Sequence, residues 1–154
     1  MIAHIPIVAT DADLMAISEA NPGWQVEREA DGSIVMSPTG TSGGLRSRAI
    51  TRQLEDWAAA HASGLVFDSS TGFTMPDSSV LSPDASYIAK ERWEAIPRAL
   101  REGYAAIVPD IAIELVSQSD TVAAARRKAA RYIAYGVRYV AVIDPYRRET
   151  FEYG

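Results

Sequence analysis

The segment from Asp110 to Asp144 constrains the fold more than any other part of the chain. "IAIELVS" is its most apolar strand, Asp120 is placed to cap a helix from Thr121 to Tyr135, and Gly136 stands where helices favour a glycine stop. "RYVAVIDP" then reads as a second strand closed by Pro145. A strand, a helix and a strand in about the minimum length for a parallel crossover commit the chain to two parallel strands with the helix laid over them.

Around this unit the pattern predicts antiparallel strands. "TDADLMAISEANPG" reads as a short helix capped by Thr10 or Asp11 and broken at Asn21-Pro22-Gly23. Trp24 to Pro38 reads as a hairpin turning at Asp31-Gly32. "TGTSGG" reads as a loop before a helix from about Leu45 to Ala62, whose Ile50, Leu54, Trp57 and Ala58 recur at helical spacing. That loop lacks Gly-Lys-Ser/Thr, so it is no nucleotide-binding loop. "LVFDSS", the region around Phe73 and "DASYIA" read as strands, "ERWEAIPRAL" as a helix interrupted by Pro97, and "ETFEYG" as a partner for the last strand. Trp57 and Trp93 fall at core spacing. The sum is a mixed α/β (α+β) fold, a mixed sheet flanked by helices, with residues 1–154 read as one domain.

Composition narrows the chemistry. With no cysteine, disulfides, thiolate nucleophiles and cysteine-based zinc sites are excluded, and a reducing, cytoplasmic setting is the expectation. The two histidines, His4 and His61, are too few for a histidine-rich centre, and His61 reads as a favourable charge at the end of the long helix. Apolar runs are too short for a membrane span, and "MIAHIPIVA" lacks the basic and apolar regions of a signal peptide. The net charge of −5 argues weakly against nucleic acid, yet residues 120–154 hold seven basic side chains against four acidic ones. Arg46 and Arg48, with Arg52 beside them, form a second basic group. Arg46, Arg48, Arg127 and Arg131 are therefore candidate phosphate contacts.

"SPDASYIAK" and "PDIAIELVSQSD" each open an apolar strand with Pro-Asp, and the second adds Glu114. Carboxylates are seldom buried unless paired or metal-bound. Asp110 and Glu114 share a strand face but lie roughly 13 Å apart at the strand rise, too far to chelate one ion together. Glu114 needs a partner from another strand, and Asp84 supplies it if the two strands are neighbours. One Asp and one Glu with a backbone carbonyl and waters make an oxygen-rich Mg²⁺ (or Mn²⁺) site. Lys128 falls on a helix stripe with Ala124, Arg131 and Tyr135, beside the core stripe, which carries its ammonium toward the strand ends.

The run "SPTG", "FDSSTGF", "SPDASYI", "RWEAI", "PDIAIELVSQSD", "KAARYIAYG" and "VIDP" resembles the Uma-two family of restriction-endonuclease-like proteins, within the PD-(D/E)XK nuclease superfamily. The resemblance spans nearly the whole chain and implies a restriction-endonuclease-like core and a Mg²⁺-dependent DNA endonuclease. It assigns metal binding and catalysis to Asp84 and Glu114. The position two after Glu114, where the superfamily carries its lysine, is Val116, so the resemblance transfers that role to Lys128 on the following helix. Asp110 and Ser117 take supporting places outside the ion's direct ligands. DNA is the implied partner, a homodimer is compatible with the class, and no membrane is involved. Two departures stand out. "LRSRAI" holds no acid where the similar proteins carry one early in the first long helix, and the chain ends at Gly154, before a last short strand of the pattern. A nuclease-fold module that binds nucleic acid or regulates without turnover is the alternative these departures support.

Overall fold

The computed structural model describes residues 3–5 and 8–154, with side chains from Val8 onward. Most of the opening stretch read above, including the side chain of His4, lies outside the described residues.

The parallel crossover forms as its sequence demands. Strand β8 (Ile111–Leu115), helix α4 (Val122–Tyr135) and strand β9 (Tyr139–Asp144) follow one another, and β8 pairs parallel with β9 from Ile111↔Tyr139 to Leu115↔Ile143. The cap of α4 is shifted by one residue from the expectation. The Thr121 hydroxyl accepts the Ala124 N–H at 3.1 Å, while Asp120 accepts the N–H of Thr121. Gly136 ends the helix at φ +103°, a left-handed backbone that a side chain disfavours.

Strand β7 (Ala85–Ala89) lies antiparallel to β8, strand β4 (Gly64–Asp68) antiparallel to β7, and β10 (Glu149–Tyr153) antiparallel to β9. This sheet runs β10-β9-β8-β7-β4. On one face Leu54 and Ala58 of helix α2 (Thr41–His61) pack against Ala85 and Tyr87. On the other, Ala125, Ala129 and Tyr132 of α4 pack against Ala112, Val140 and Val142. The helical periodicity of both helices thus maps onto the sheet faces they cover. The glycine-rich 41–44 stretch, read above as loop, is the first turn of α2, opened by Gly40 and joined by the Gly44 N–H to the Gly40 carbonyl at 2.9 Å. Two glycines cost about 2 kcal/mol of helix propensity, too little to stop a helix anchored by a long buried stripe.

The early strands do not join that sheet, contrary to the single mixed sheet expected. Among the described residues, β1 (Ala3–Ile5), β2 (Trp24–Arg28), β3 (Ile34–Pro38), β5 (Phe73–Thr74) and β6 (Val80–Leu81) form a second one, ordered β1-β3-β2-β6-β5 and antiparallel throughout. Helix α1 (Asp11–Ala20), capped reciprocally by Thr10 and Asp13, closes its far side through Leu14 against Val26 and Ile34. The two sheets divide at Ser82–Asp84, between β6 and β7. Pro83 is fully buried there and has no N–H to offer a ladder, so the chain leaves one sheet and enters the other. The 90–100 region splits as Pro97 requires, into α3 (Lys90–Glu94) and a 3₁₀ turn at Arg98–Leu100.

A Cβ added at Gly136 meets no atom within 4 Å, so replacing this glycine tests backbone strain alone. Gly136→Ala is expected to lose about 1–2 kcal/mol of stability in urea unfolding with an unchanged m-value. A loss near zero would mean that the helix stop does not depend on the left-handed residue.

Candidate functional site

The sheet change at Ser82–Asp84 brings three carboxylates from two sheets to one place. Continuing the β7–β8 register of Ala85↔Ile113 by one residue sets Asp84 beside Glu114. The Asp84 carboxylate reaches across to β8, where its Oδ2 accepts the Leu115 N–H at 2.6 Å. Glu114 shares the α4-facing side of β8 with Ala112, which is fully buried in the core beneath α4. From the other sheet, Glu27 of β2 reaches the link between β6 and β7, where its Oε1 accepts the Ser82 N–H at 2.6 Å.

Lys128 of α4 stands between these acids. Its Nζ lies 2.8 Å from Glu27 Oε1 and 2.9 Å from Glu114 Oε1, with its side chain 19% exposed. Tyr132, one helical turn on and fully buried, donates its hydroxyl to the same Glu114 oxygen at 2.9 Å. The i, i+4 spacing of Lys128 and Tyr132 places both over Glu114. Asp84, Glu114 and Lys128, singled out from sequence, therefore do come together.

The other candidates fall elsewhere. Asp110 lies at the opposite end of β8, where its Oδ2 accepts the Ala89 N–H at 2.8 Å and its Oδ1 pairs with Arg92 at 2.9 Å, joining β7, β8 and α3. Ser117 is exposed just past β8, with its hydroxyl 3.3 Å from that of Ser119. Arg48 and Arg127 are exposed. Arg46 bonds to Tyr146, and Arg131 pairs with Glu29 at 2.9 Å. In α2, Ser47 approaches the site, its hydroxyl donating to the Asp84 carbonyl at 3.3 Å.

Glu27 was missed by the sequence reading. It occupies a polar position of an alternating strand, which by pattern alone faces solvent. The opposite side of β2 carries the buried Val26 and Arg28, and Arg28 pairs with Asp11 at 2.7 Å. Only the placement of α4 beside β2 turns the Glu27 face inward, and no local signal announces it.

Burial dominates the electrostatics of the site, and the neighbouring acids add to it. Burial pushes the Glu114 carboxyl up to about 8; Lys128 opposes the rise, and Asp84 and Glu27 add to it. Asp84 is raised as well, first by burial, with the Leu115 N–H and Lys128 opposing and Glu27 and Asp120 adding. Burial works to lower Lys128, but Glu114 and Glu27 outweigh it and hold the ammonium above the usual lysine range. Lys128 is a fixed positive charge and hydrogen-bond donor, not a proton acceptor.

Among the described residues, no three carboxylate or imidazole groups are arranged to hold a metal ion by themselves. An ion gripped here would rest on the Asp84 and Glu114 pair and take its remaining oxygens from backbone and water, the habit of Mg²⁺. The chemistry of the donor set fits such an ion: both acids are hard oxygen donors, and each has one oxygen outside the hydrogen bonds just described.

Because the folded chain holds the Glu114 proton more tightly than the unfolded chain, unfolding releases it. Its contribution to ion-free stability is therefore full below the ordinary carboxyl range and is lost as pH rises to about 8. Glu114→Gln should be as stable as the parent near pH 4.5 in EDTA and gain on it steadily up to pH 8, as read by urea unfolding. A difference that does not vary with pH would place the surplus charge elsewhere.

The family model described as "Uma2: Putative restriction endonuclease" matches residues 11–153. No curated protein matches. Among solved structures, a crystal structure described as a "putative nuclease belonging to DUF820", from Anabaena variabilis, is similar at a TM-score of 0.68 with 18% identity, covering 94% of this chain and 79% of that one. At that identity the likeness speaks for the fold alone, a mixed α/β nuclease-like fold of two sheets flanked by helices. With the family model covering almost the full length, the chain belongs to the Uma2 family of restriction-endonuclease-like proteins.

Proposed function

We propose that this protein is a divalent-metal-dependent DNA endonuclease, with Asp84 and Glu114 holding the ion and Lys128 acting on the phosphate. The observation that carries the reading is the pair of opposed carboxylates on β7 and β8 with a protonated lysine locked beside them. Family membership supports nucleic acid as the substrate class.

Each residue has a distinct task. Asp84, tied through Oδ2 by the Leu115 N–H, has its other oxygen free of that bond. Tyr132 and Lys128 both bond to Glu114 Oε1, which leaves Oε2 to bind. The bound ion, Mg²⁺ or Mn²⁺, supplies Lewis-acid polarisation of the phosphoryl oxygens. Lys128 offers hydrogen bonds to the charge that develops on those oxygens, at a position fixed in advance by Glu27 and Glu114. Water adds to phosphorus and the P–O ester bond breaks; the attacking water loses its proton to solvent, since Lys128 is already protonated, and the departing ester oxygen takes a proton from solvent to leave as a hydroxyl.

A second reading, a nuclease-fold module without turnover, is favoured by one feature: Ser47, and not an acid, is the α2 side chain that meets Asp84. Activity separates the two. The parent protein with Mg²⁺ or Mn²⁺ is expected to nick or linearise plasmid DNA, EDTA to stop it, and Asp84→Asn and Glu114→Gln each to lower the rate by about a hundredfold or more. A folded parent that leaves plasmid, linear duplex and single strands intact with either metal would move the protein to the second reading.

A further inference from the structure

The turn between β9 and β10, Pro145 to Arg148, has a feature that the metal site does not use. It lies at the same sheet edge as that site: Ile143 is level with Leu115, the residue whose N–H binds Asp84. The turn is held from within. The buried Asp144 carboxylate accepts the N–H groups of Tyr146 at 2.9 Å and Arg147 at 3.1 Å, and Arg148 takes φ +59°, a conformation that non-glycine residues seldom adopt.

Tyr146 stands on this turn with 51% of its surface exposed. One face of its ring is backed by Arg46, whose guanidinium carbon lies 4.9 Å from the ring centroid and whose Nη1 is 3.1 Å from the hydroxyl. Arg46 precedes Ser47, and Ser47 touches the Asp84 carbonyl. The ring and the cation are thus locked to each other one residue from the site. Arg48, Arg52 and Arg148 are exposed around them, and Arg48 and Arg52 line an open groove of about 360 Å³ with Asp68 and Ser69.

A ring held by a guanidinium on one face offers the other face for stacking, and a nucleobase with its adjoining phosphate matches both charge and shape. Bases in a duplex stack on one another and are hidden from such a surface, whereas an unpaired strand exposes them. The charge balance points the same way. Duplex affinity comes chiefly from neutralising many phosphates, and this chain is net −5. A few arginines around one ring suit a short unpaired run.

We infer that Tyr146, backed by Arg46, is a base-stacking platform that seats an unpaired DNA strand at the entrance to the Asp84–Glu114 site, so that single-stranded DNA is the preferred substrate. This rests on the nuclease reading above. The test is fluorescence anisotropy in EDTA with a labelled thymidine 20-mer and a duplex of equal length. The parent should bind the single strand more tightly. Tyr146→Ala should weaken that binding about tenfold or more, Tyr146→Phe should retain most of it, and duplex binding should change little in either variant. Arg46→Ala should weaken the single strand as well. Equal affinity for both forms, binding of neither, or an unchanged affinity in a folded Tyr146→Ala overturns the platform. Cleavage by the parent with Mg²⁺ is scored separately. Cleavage together with unaltered binding in Tyr146→Ala overturns the platform and leaves the nuclease; a Tyr146-dependent single-strand preference without cleavage leaves the platform and overturns the nuclease.

Discussion

The ammonium of Lys128, held between Glu27 and Glu114, is the contact on which the rest of the site depends. It joins β2 of one sheet, about a hundred residues away in sequence, to β8 of the other sheet and to α4, the helix that follows β8. A buried ion pair of this kind adds little net stability, since desolvation offsets most of the attraction, but losing one partner is costly. Its value is positional. With Lys128 anchored, α4 sits in one register against β8, Tyr132 reaches Glu114, and Arg131 and Tyr135 reach Glu29 and Asp77.

The second constraint is the change of sheet at Ser82–Asp84. The Ser82 N–H binds Glu27, its carbonyl accepts from Gln25, and two residues later Asp84 binds across to Leu115. A three-residue link thereby fastens the two sheets together and sets an acid on each side of Lys128. Burial, with the neighbouring acids adding to it, raises the Glu114 and Asp84 carboxyls, so ionising both in the ion-free protein is costly.

Most of the β10-β9-β8-β7-β4 sheet was legible in the sequence because its signals are local. The apolar strand before α4, the Gly136 stop and the DP turn each report on a few neighbouring residues, and the helical stripes of α2 and α4 report on the faces they cover. Asp84 and Glu114 were legible as a pair because a buried carboxylate demands a partner. What sequence hid was tertiary. Glu27 looked solvent-facing until α4 covered it, Arg131 looked free until Glu29 met it, and the split into two sheets depends on a fully buried Pro83. The first turn of α2 was hidden by glycines whose propensity cost is outweighed further along the helix. Asp110 shows the opposite case. Its place in the sequence motif is conspicuous, yet Ala89, Arg92 and Arg138 already engage it at the far end of β8.

The central claim is that Asp84 and Glu114 hold one divalent ion whose charge relieves the acids around Lys128. Titration calorimetry of the metal-free protein with Mn²⁺ addresses it directly. The account predicts one ion per chain and loss of that binding in Asp84→Asn with the fold retained. Absence of binding heat across a range of temperatures, or equal binding by the parent and Asp84→Asn, would contradict it.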